Sequence, residues 1–133
     1  MGYLLDTNIC VFHLRGKLNL NEIIEEKGKE KFYVSEITVA ELHYGAENSD
    51  DPAQSHKAVE AFLIGLTVLP IFTCIKLYAK EKVKLRKAGK PMDEFDLLIG
   101  VTALEHKLTL VTDNIRHFNR LDGIKIENWY KRK

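Results

Sequence analysis

Residues 1–8 read MGYLLDTN. Tyr3, Leu4 and Leu5 have the content of a buried strand, and Asp6, Thr7 and Asn8 follow at once. An apolar strand that stops on a carboxylate has two readings. Asp6 is a turn or helix-cap residue, or it holds a metal ion. A second run of the same kind, LTLVTDN at 108–114, ends on Asp113. Both runs are apolar on successive residues, as strands are when a parallel sheet is covered on both faces.

The segments around these two strands alternate in period. NICVFHLRG (8–16) predicts a short helix ended near Gly16, and LNLNEIIEEKG (18–28) a second helix with Gly28 as its C-cap. KFYVSEI (31–37) predicts a strand, and TVAELHYGAE (38–47) a helix with Thr38 at its N-cap. ENSDDPAQS (47–55) is the most polar stretch and predicts a loop before the helix HKAVEAFLIGL (56–66). TVLPI (67–71) is a short strand. TCIKLYAKEKVKLRKAG (73–89) is a longer helix with Ile75, Tyr78, Ala79, Val83 and Leu85 toward the core. KPMDEFDLLIGVTALEHK (90–107) gives a helix from about Asp93. A loop with a short helix follows Asp113, and IKIENW (124–129) is a final strand. Strands alternating with helices imply an α/β fold, a mostly parallel central sheet in a three-layer α/β/α arrangement. With no linker, repeat or low-complexity segment, residues 1–133 read as a single domain.

The chain has 133 residues and a net charge of +1, so global charge names no partner. Cys10 and Cys74 stand apart in sequence among apolar neighbours and predict buried free thiols of a reducing cytosol. The opening residues lack the basic and apolar regions of a signal peptide, and no apolar run is long enough to span a bilayer. The expected location is cytoplasmic, with no membrane partner.

Ligands of open parallel sheets bind beyond the carboxyl ends of the strands. Asp6 and Asp113 lie there. Glu41 lies one turn into the helix after KFYVSEI, and Asp96 lies near the start of the helix before LTLVT. Four acids distant in sequence can meet at one rim. Two carboxylates ~4 Å apart repel by ~4 kcal/mol at an effective dielectric of ~20, so one is protonated or a cation binds. Oxygen ligands favour Mg²⁺ or Mn²⁺. Each acid also has a plain structural reading. Thr38 and Glu41 have capping-box spacing, as do Asp93 and Asp96, and Asp113 suits an Asx turn.

The blocks LLDTNICVFHLRG, SEITVAELHYG and GKPMDEFDLLIGVTALEHKLTLVTDNIRHFNRLDGIKIENW resemble a PIN-domain ribonuclease. More narrowly they resemble VapC, the toxin of a bacterial toxin–antitoxin pair. The resemblance runs nearly end to end, and it implies a PIN domain. It matches Asp6 to the family's first acid, Glu41 to the second and Asp96 to the third. The fourth site falls in TDN, at Asp113, with Asn114 as the alternative. The resemblance further implies Mg²⁺ or Mn²⁺, RNA cleavage, a VapB-like antitoxin that covers the site, and a homodimer. It implies DNA binding only through the antitoxin. The branch carrying LLDTNIC and TVAELHYG looks like the toxins that cut initiator tRNA in its anticodon loop. One departure is MDEFD, where the family usually has a glycine-containing IGPFD or IGPYD. Asp93 and Glu94 there either reach a second ion through water or cap the helix.

Thr7, Asn8 and Thr112 are candidate groups for orienting a carboxylate or binding phosphate, as is Asn114. From Lys76 to Lys90 seven basic residues stand against one acid, Glu81. This stretch is a candidate RNA surface, with Lys80, Lys84 and Lys87 as its proposed contacts and Arg116 joining from beyond Asp113. The tail YKRK reads as solvated, or docked through Trp129 and Tyr130. The five histidines lack zinc-site spacing, and His13 and His43 read as packing residues. Two rivals compete with a nuclease. A receiver domain has a similar sheet, but it needs an acidic pair after the first strand, where this chain offers Asp6 alone. A scaffold of the same fold that binds RNA or a partner without cutting is the other.

Overall fold

Leu4 and Leu5, neighbours in the first strand, are both fully buried, and they enter different cores. The strand therefore lies inside a sheet with helices on either face. The computed structural model describes residues 2–28 and 30–131. Its elements are β1 (Gly2–Leu5), α1 (Thr7–Leu14), α2 (Leu20–Lys27), β2 (Lys31–Ser35), α3 (Glu36–Glu47) and α4 (Pro52–Leu63). They continue with β3 (Thr67–Leu69), a 3₁₀ turn (Phe72–Cys74), α5 (Ile75–Lys87), α6 (Glu94–Glu105), β4 (Thr109–Val111), α7 (Ile115–Phe118) and β5 (Lys125–Glu127).

The strand order is β3-β2-β1-β4-β5, and all four pairings are parallel. Leu5, Val34 and Val111 pack with Ile9, Cys10, Leu20, Leu42 and Val59, which places α1 to α4 on one face. Leu4 and Leu110 pack with Ile99, Ala103 and Phe118, which places α6 and α7 on the other. There α5 lies against α6 through Cys74, Leu85, Leu97 and Val101. Gly100 permits the close approach of α6 to the following loop, since a methyl group on it would lie 2.4 Å from Leu121 Cδ1. Cys10 and Cys74 are free and buried. Among the described residues no helix is long and apolar enough to cross a membrane.

Three local expectations change. Ser35, not Thr38, caps α3: its hydroxyl accepts from Ile37 N, and the helix starts at Glu36. Thr38 instead turns inward, fully buried. The helix α4 starts at Pro52, inside the expected loop, because Asp51 caps it and proline suits a first turn. The third change is the face of α5. Ile75 and Val83 are 49% and 43% exposed, whereas Glu81 is buried on the stripe with Leu85. Positions 74, 77, 78, 81 and 85 form that stripe, and a charge inside it disguised its direction. At the C-terminus Trp129 packs edge-on to Tyr3 and Tyr130 stacks on Phe12, at ring separations of 5.0 and 4.0 Å. The last two residues of the basic tail lie outside the described residues.

Candidate active site

β1 pairs with β2 on one side and β4 on the other, so the chain's order reverses between β1 and β4. Side chains at the carboxyl ends of these two strands border that reversal, the usual place for a ligand. Asp6 N donates to Val111 O at 2.9 Å, one step beyond the regular pairing, and this fixes Asp6 at the rim. Its Oδ1 accepts from Thr7 N at 2.8 Å and so caps α1. Its Oδ2 accepts from the Thr112 hydroxyl at 2.7 Å, from the end of β4. A cap needs only the first of these bonds. The second ties Asp6 to a residue 106 positions away.

Asp6 is buried, and its pKa rises from 3.8 to about 6. Loss of hydration is the main cause. The bonds from Thr112 and Thr7 oppose it, and the negative charges of Asp96 and Glu41 add to it. Glu41 is held by the Thr7 hydroxyl, which donates to its Oε1 at 2.7 Å and lies 3.0 Å from the Thr38 hydroxyl. Glu41 is therefore oriented across the sheet rim rather than engaged in a capping box. Asp96 is half-buried in the first turn of α6, and its pKa is raised by desolvation, then by Asp93 and Glu41. Asp93 caps this helix, accepting from Asp96 N at 3.3 Å.

Asp6, Glu41 and Asp96 line one cavity of about 310 Å³, together with Thr7, Asn8, Val11, Phe12 and Asn114. Asp113 is not among its lining residues. Its carboxylate accepts from Asn128 Nδ2 at 2.9 Å, and its own N–H donates to Asn8 Oδ1 at 3.4 Å. Asn114 takes the cavity-facing place. Its N–H donates to the Thr112 hydroxyl at 2.9 Å, and its side chain lies 2.9 Å from His117 Nδ1. Asn128 and the contact of Thr38 have no signal in the sequence, whereas Val11 and Phe12 are legible as apolar residues of the first helix, each four positions after Thr7 or Asn8.

The expected RNA contacts divide. Lys80, Lys84, Lys87 and Arg116 are all exposed. Lys84 pairs with Asp122 at 2.9 Å, so the face of α5 that it shares with Lys80 and Lys87 turns toward the loop after α7. The α5 cation tied to the first turn of α6 is Lys82, which bonds Glu94 together with the Tyr78 hydroxyl. His13 bridges Leu18 O and Leu20 N, and His43 packs against His56, both outside the cavity.

The donor chemistry suits a hard cation. The acidic lining is oxygen only, and Asp6 is pushed toward protonation where no counter-charge is close. Among the described residues no three Asp, Glu, His or Cys side chains close a coordination shell by themselves. The carboxylates line the cavity without meeting at a point, as mutually repelling groups do.

A doubly covered parallel sheet with distant carboxylates at its reversal point defines the class, and the PIN-domain family model matches residues 3–124. The chain belongs to the PIN-domain family, among its VapC ribonucleases. It is 35% identical to the tRNA(fMet)-specific endonuclease VapC of Salmonella typhimurium, over 97% of this chain and 98% of that one. It is 38% identical to Ribonuclease VapC2 of Haemophilus influenzae over the same shares. Among solved structures it resembles VapBC2 from Rickettsia felis bound to a promoter DNA fragment, with a TM-score of 0.89 and 31% identity. That match covers 97% of this chain and 99% of the other. DNA-bound VapBC from Salmonella typhimurium gives 0.89 and 34%, over 97% and 98%.

Proposed function

We propose that the protein is a single-domain, Mg²⁺- or Mn²⁺-dependent endoribonuclease toxin of the cytoplasm, with Asp6, Glu41 and Asp96 as its catalytic carboxylates. The observation that carries this is their presence on one cavity, delivered by three segments far apart in sequence. A bound divalent ion supplies the charge that orients phosphate oxygens and acidifies a water. Asp6 is held for this by Thr7 N–H and the Thr112 hydroxyl, and Glu41 by the Thr7 hydroxyl. The Asp96 carboxylate accepts no hydrogen bond from other described residues, which leaves its oxygens open to the ion or to the attacking water. Asn8 and Asn114 border the cavity with amides that suit phosphate oxygens. Asp113 acts from one step behind, positioning Asn128 and Asn8.

The name of the tRNA(fMet)-specific relative supports structured RNA, initiator tRNA in particular, as substrate; cleavage in its anticodon loop is the finer part of the proposal. The DNA-bound VapBC complexes that this chain resembles support a VapB-like antitoxin; DNA contact through that partner and a toxin homodimer complete the proposed assembly. A cavity of about 280 Å³ between α1, α3 and α4 has apolar walls from Val11, Leu14, Leu42 and Val59, and Glu41 lines it as well as the carboxylate cavity. An antitoxin segment laid there reaches the acids directly. Purified protein incubated with total tRNA tests the reading. Discrete fragments in Mg²⁺ and intact RNA in EDTA are expected. Intact RNA under both conditions would reduce the protein to a non-cutting scaffold.

A further inference from the structure

We propose that a second cavity, between α5 and the start of α6, holds an unpaired nucleobase beside the scissile phosphodiester, with Arg86 binding an adjoining phosphate. This deepens the nuclease reading of the neighbouring carboxylate cavity and rests on it. The second cavity has a volume of about 330 Å³, in the range of small-ligand sites. Leu85, Met92 and Leu97 supply an apolar floor, Val83 a side, and Lys82 and Arg86 a cationic rim.

The two cavities share the first turn of α6. Asp96 faces the carboxylate cavity and the next residue, Leu97, faces the second one. A nucleotide chain with a phosphate at the acids and a base in this cavity runs across that turn of α6. The charge arrangement matches such a chain. Lys82 is engaged by Glu94, but the Arg86 guanidinium makes no hydrogen bond or ion pair with the described residues. Arg120 anchors the cavity's far edge, donating from Nη1 to Pro91 O at 2.6 Å, and adds a third positive group. An apolar slot with a free guanidinium at its mouth matches the two halves of a nucleotide: a flat base with an apolar face and an anionic phosphate. A base inside a duplex cannot enter, so the cavity selects unpaired RNA.

Binding is measured with the Asp6→Asn protein, which leaves the probe intact. The probes are a labelled hairpin oligoribonucleotide with an unpaired loop and a fully paired duplex with the same number of phosphates. Val83 is 43% exposed, so Val83→Trp fills the slot from the surface without disturbing the core. It is expected to weaken hairpin binding about tenfold and duplex binding less than about twofold. Arg86→Ala is expected to weaken both and to lower the salt dependence by about one ion. In Asp6→Asn protein otherwise unaltered, 4-thiouridine in the loop is expected to crosslink to the peptide spanning residues 83–97. Unchanged hairpin affinity in Val83→Trp, or crosslinks confined elsewhere, would overturn the proposal. So would a Val83→Trp variant that loses antitoxin binding and keeps RNA binding, since the slot then serves a protein. Failure of the wild type to cleave any RNA, with the Val83→Trp defect in binding present, would sink the nuclease reading and leave the slot standing.

Discussion

The first turns of α1 and α6 are built alike and end up in different roles. Each opens on an aspartate at the carboxyl rim of the sheet, and each aspartate accepts a backbone N–H of its own helix: Asp6 from Thr7, Asp93 from Asp96. Asp93 is exposed, and beyond its cap it only adds negative charge beside Asp96. Asp6 is buried, and its second oxygen is bound by Thr112 across the sheet. A cap is a local device that any helix start can use. A site appears where a cap residue is also desolvated and held from a second element, so that its charge has no relief from water.

The strongest way to break this comparison is to neutralise each aspartate in turn. Asp6→Asn is expected to lower RNA cleavage by about a thousandfold, the scale lost when a principal charge-stabilising group is removed. The fold survives, because asparagine caps a helix as well as aspartate does. Asp93→Asn is expected to stay within about threefold of wild type for the same reason. Steady-state cleavage of total tRNA, with circular dichroism as the folding control, reads both. Equal losses in the two variants would erase the distinction.

The next largest effect is on stability and carries a definite sign. The pKa of Asp6 is raised in the folded protein, from 3.8 to about 6. The native state thus holds a proton that the unfolded chain releases. The contribution is fully present below about 3.8 and is lost as the pH rises through 6. In EDTA at pH 7.5 the ionised Asp6 costs the fold about 3 kcal/mol. Asp6→Asn lacks this term, so it is expected to be the more stable protein at pH 7.5, with the gap closing as the pH falls to 4. Mg²⁺ is expected to stabilise wild type at pH 7.5 and to leave Asp6→Asn almost unchanged. Urea unfolding across that pH range decides it. A gap that does not vary with pH would show that Asp6 is not desolvated.

Much of this arrangement is legible in the sequence, and the exceptions share a cause. The apolar runs YLL and LTLV are buried in β1 and β4 as their composition implied, and the parallel sheet follows from them. Asp6, Glu41 and Asp96 stand out in the sequence because strand ends and first turns are readable one segment at a time. Thr38 misled because capping spacing is degenerate: Ser35 occupies the cap, and the same threonine supports Thr7 instead. Asp113 and Asn114 are adjacent, and Asp113 turns from the cavity to accept from Asn128 of the C-terminal segment. Contacts between distant segments leave no periodic trace, so neither outcome had a signal in the sequence.

Thr112 sharpens the comparison at smaller scale, since it is the group that Asp93 lacks. Thr112→Val keeps shape and removes the hydroxyl that donates to Asp6 and accepts from Asn114 N–H. Leaving those buried partners unmet is expected to cost about 1–3 kcal/mol of stability and about tenfold in cleavage. Thr112→Ser restores the hydroxyl and is expected to recover most of both. Activity that follows side-chain volume rather than the hydroxyl would count against the hydrogen bond as the cause.

Glu81 supplies the complementary case, a buried carboxylate with no site around it. It lies 6% exposed on the inward stripe of α5, one turn before Leu85, in the layer that Leu97 and Val101 line from α6. The positive group acting nearby is Lys84, one turn on, which already pairs with Asp122. If burial of an acid alone signalled function, Glu81 would matter to catalysis. Glu81 differs from Asp6 in two ways: among the described residues no hydrogen bond from a second element holds its carboxylate, and it lies outside the cavity that Asp6, Glu41 and Asp96 share. Glu81→Leu continues the apolar stripe, and replacing a buried charge by a packed aliphatic group is often stabilising. The expected result is a gain of about 1 kcal/mol in urea unfolding, with cleavage of tRNA unchanged. A loss of activity in a variant that folds more stably would mean that a buried acid on α5 communicates with the carboxylate cavity, and that the two-element criterion drawn from Asp6 is too narrow.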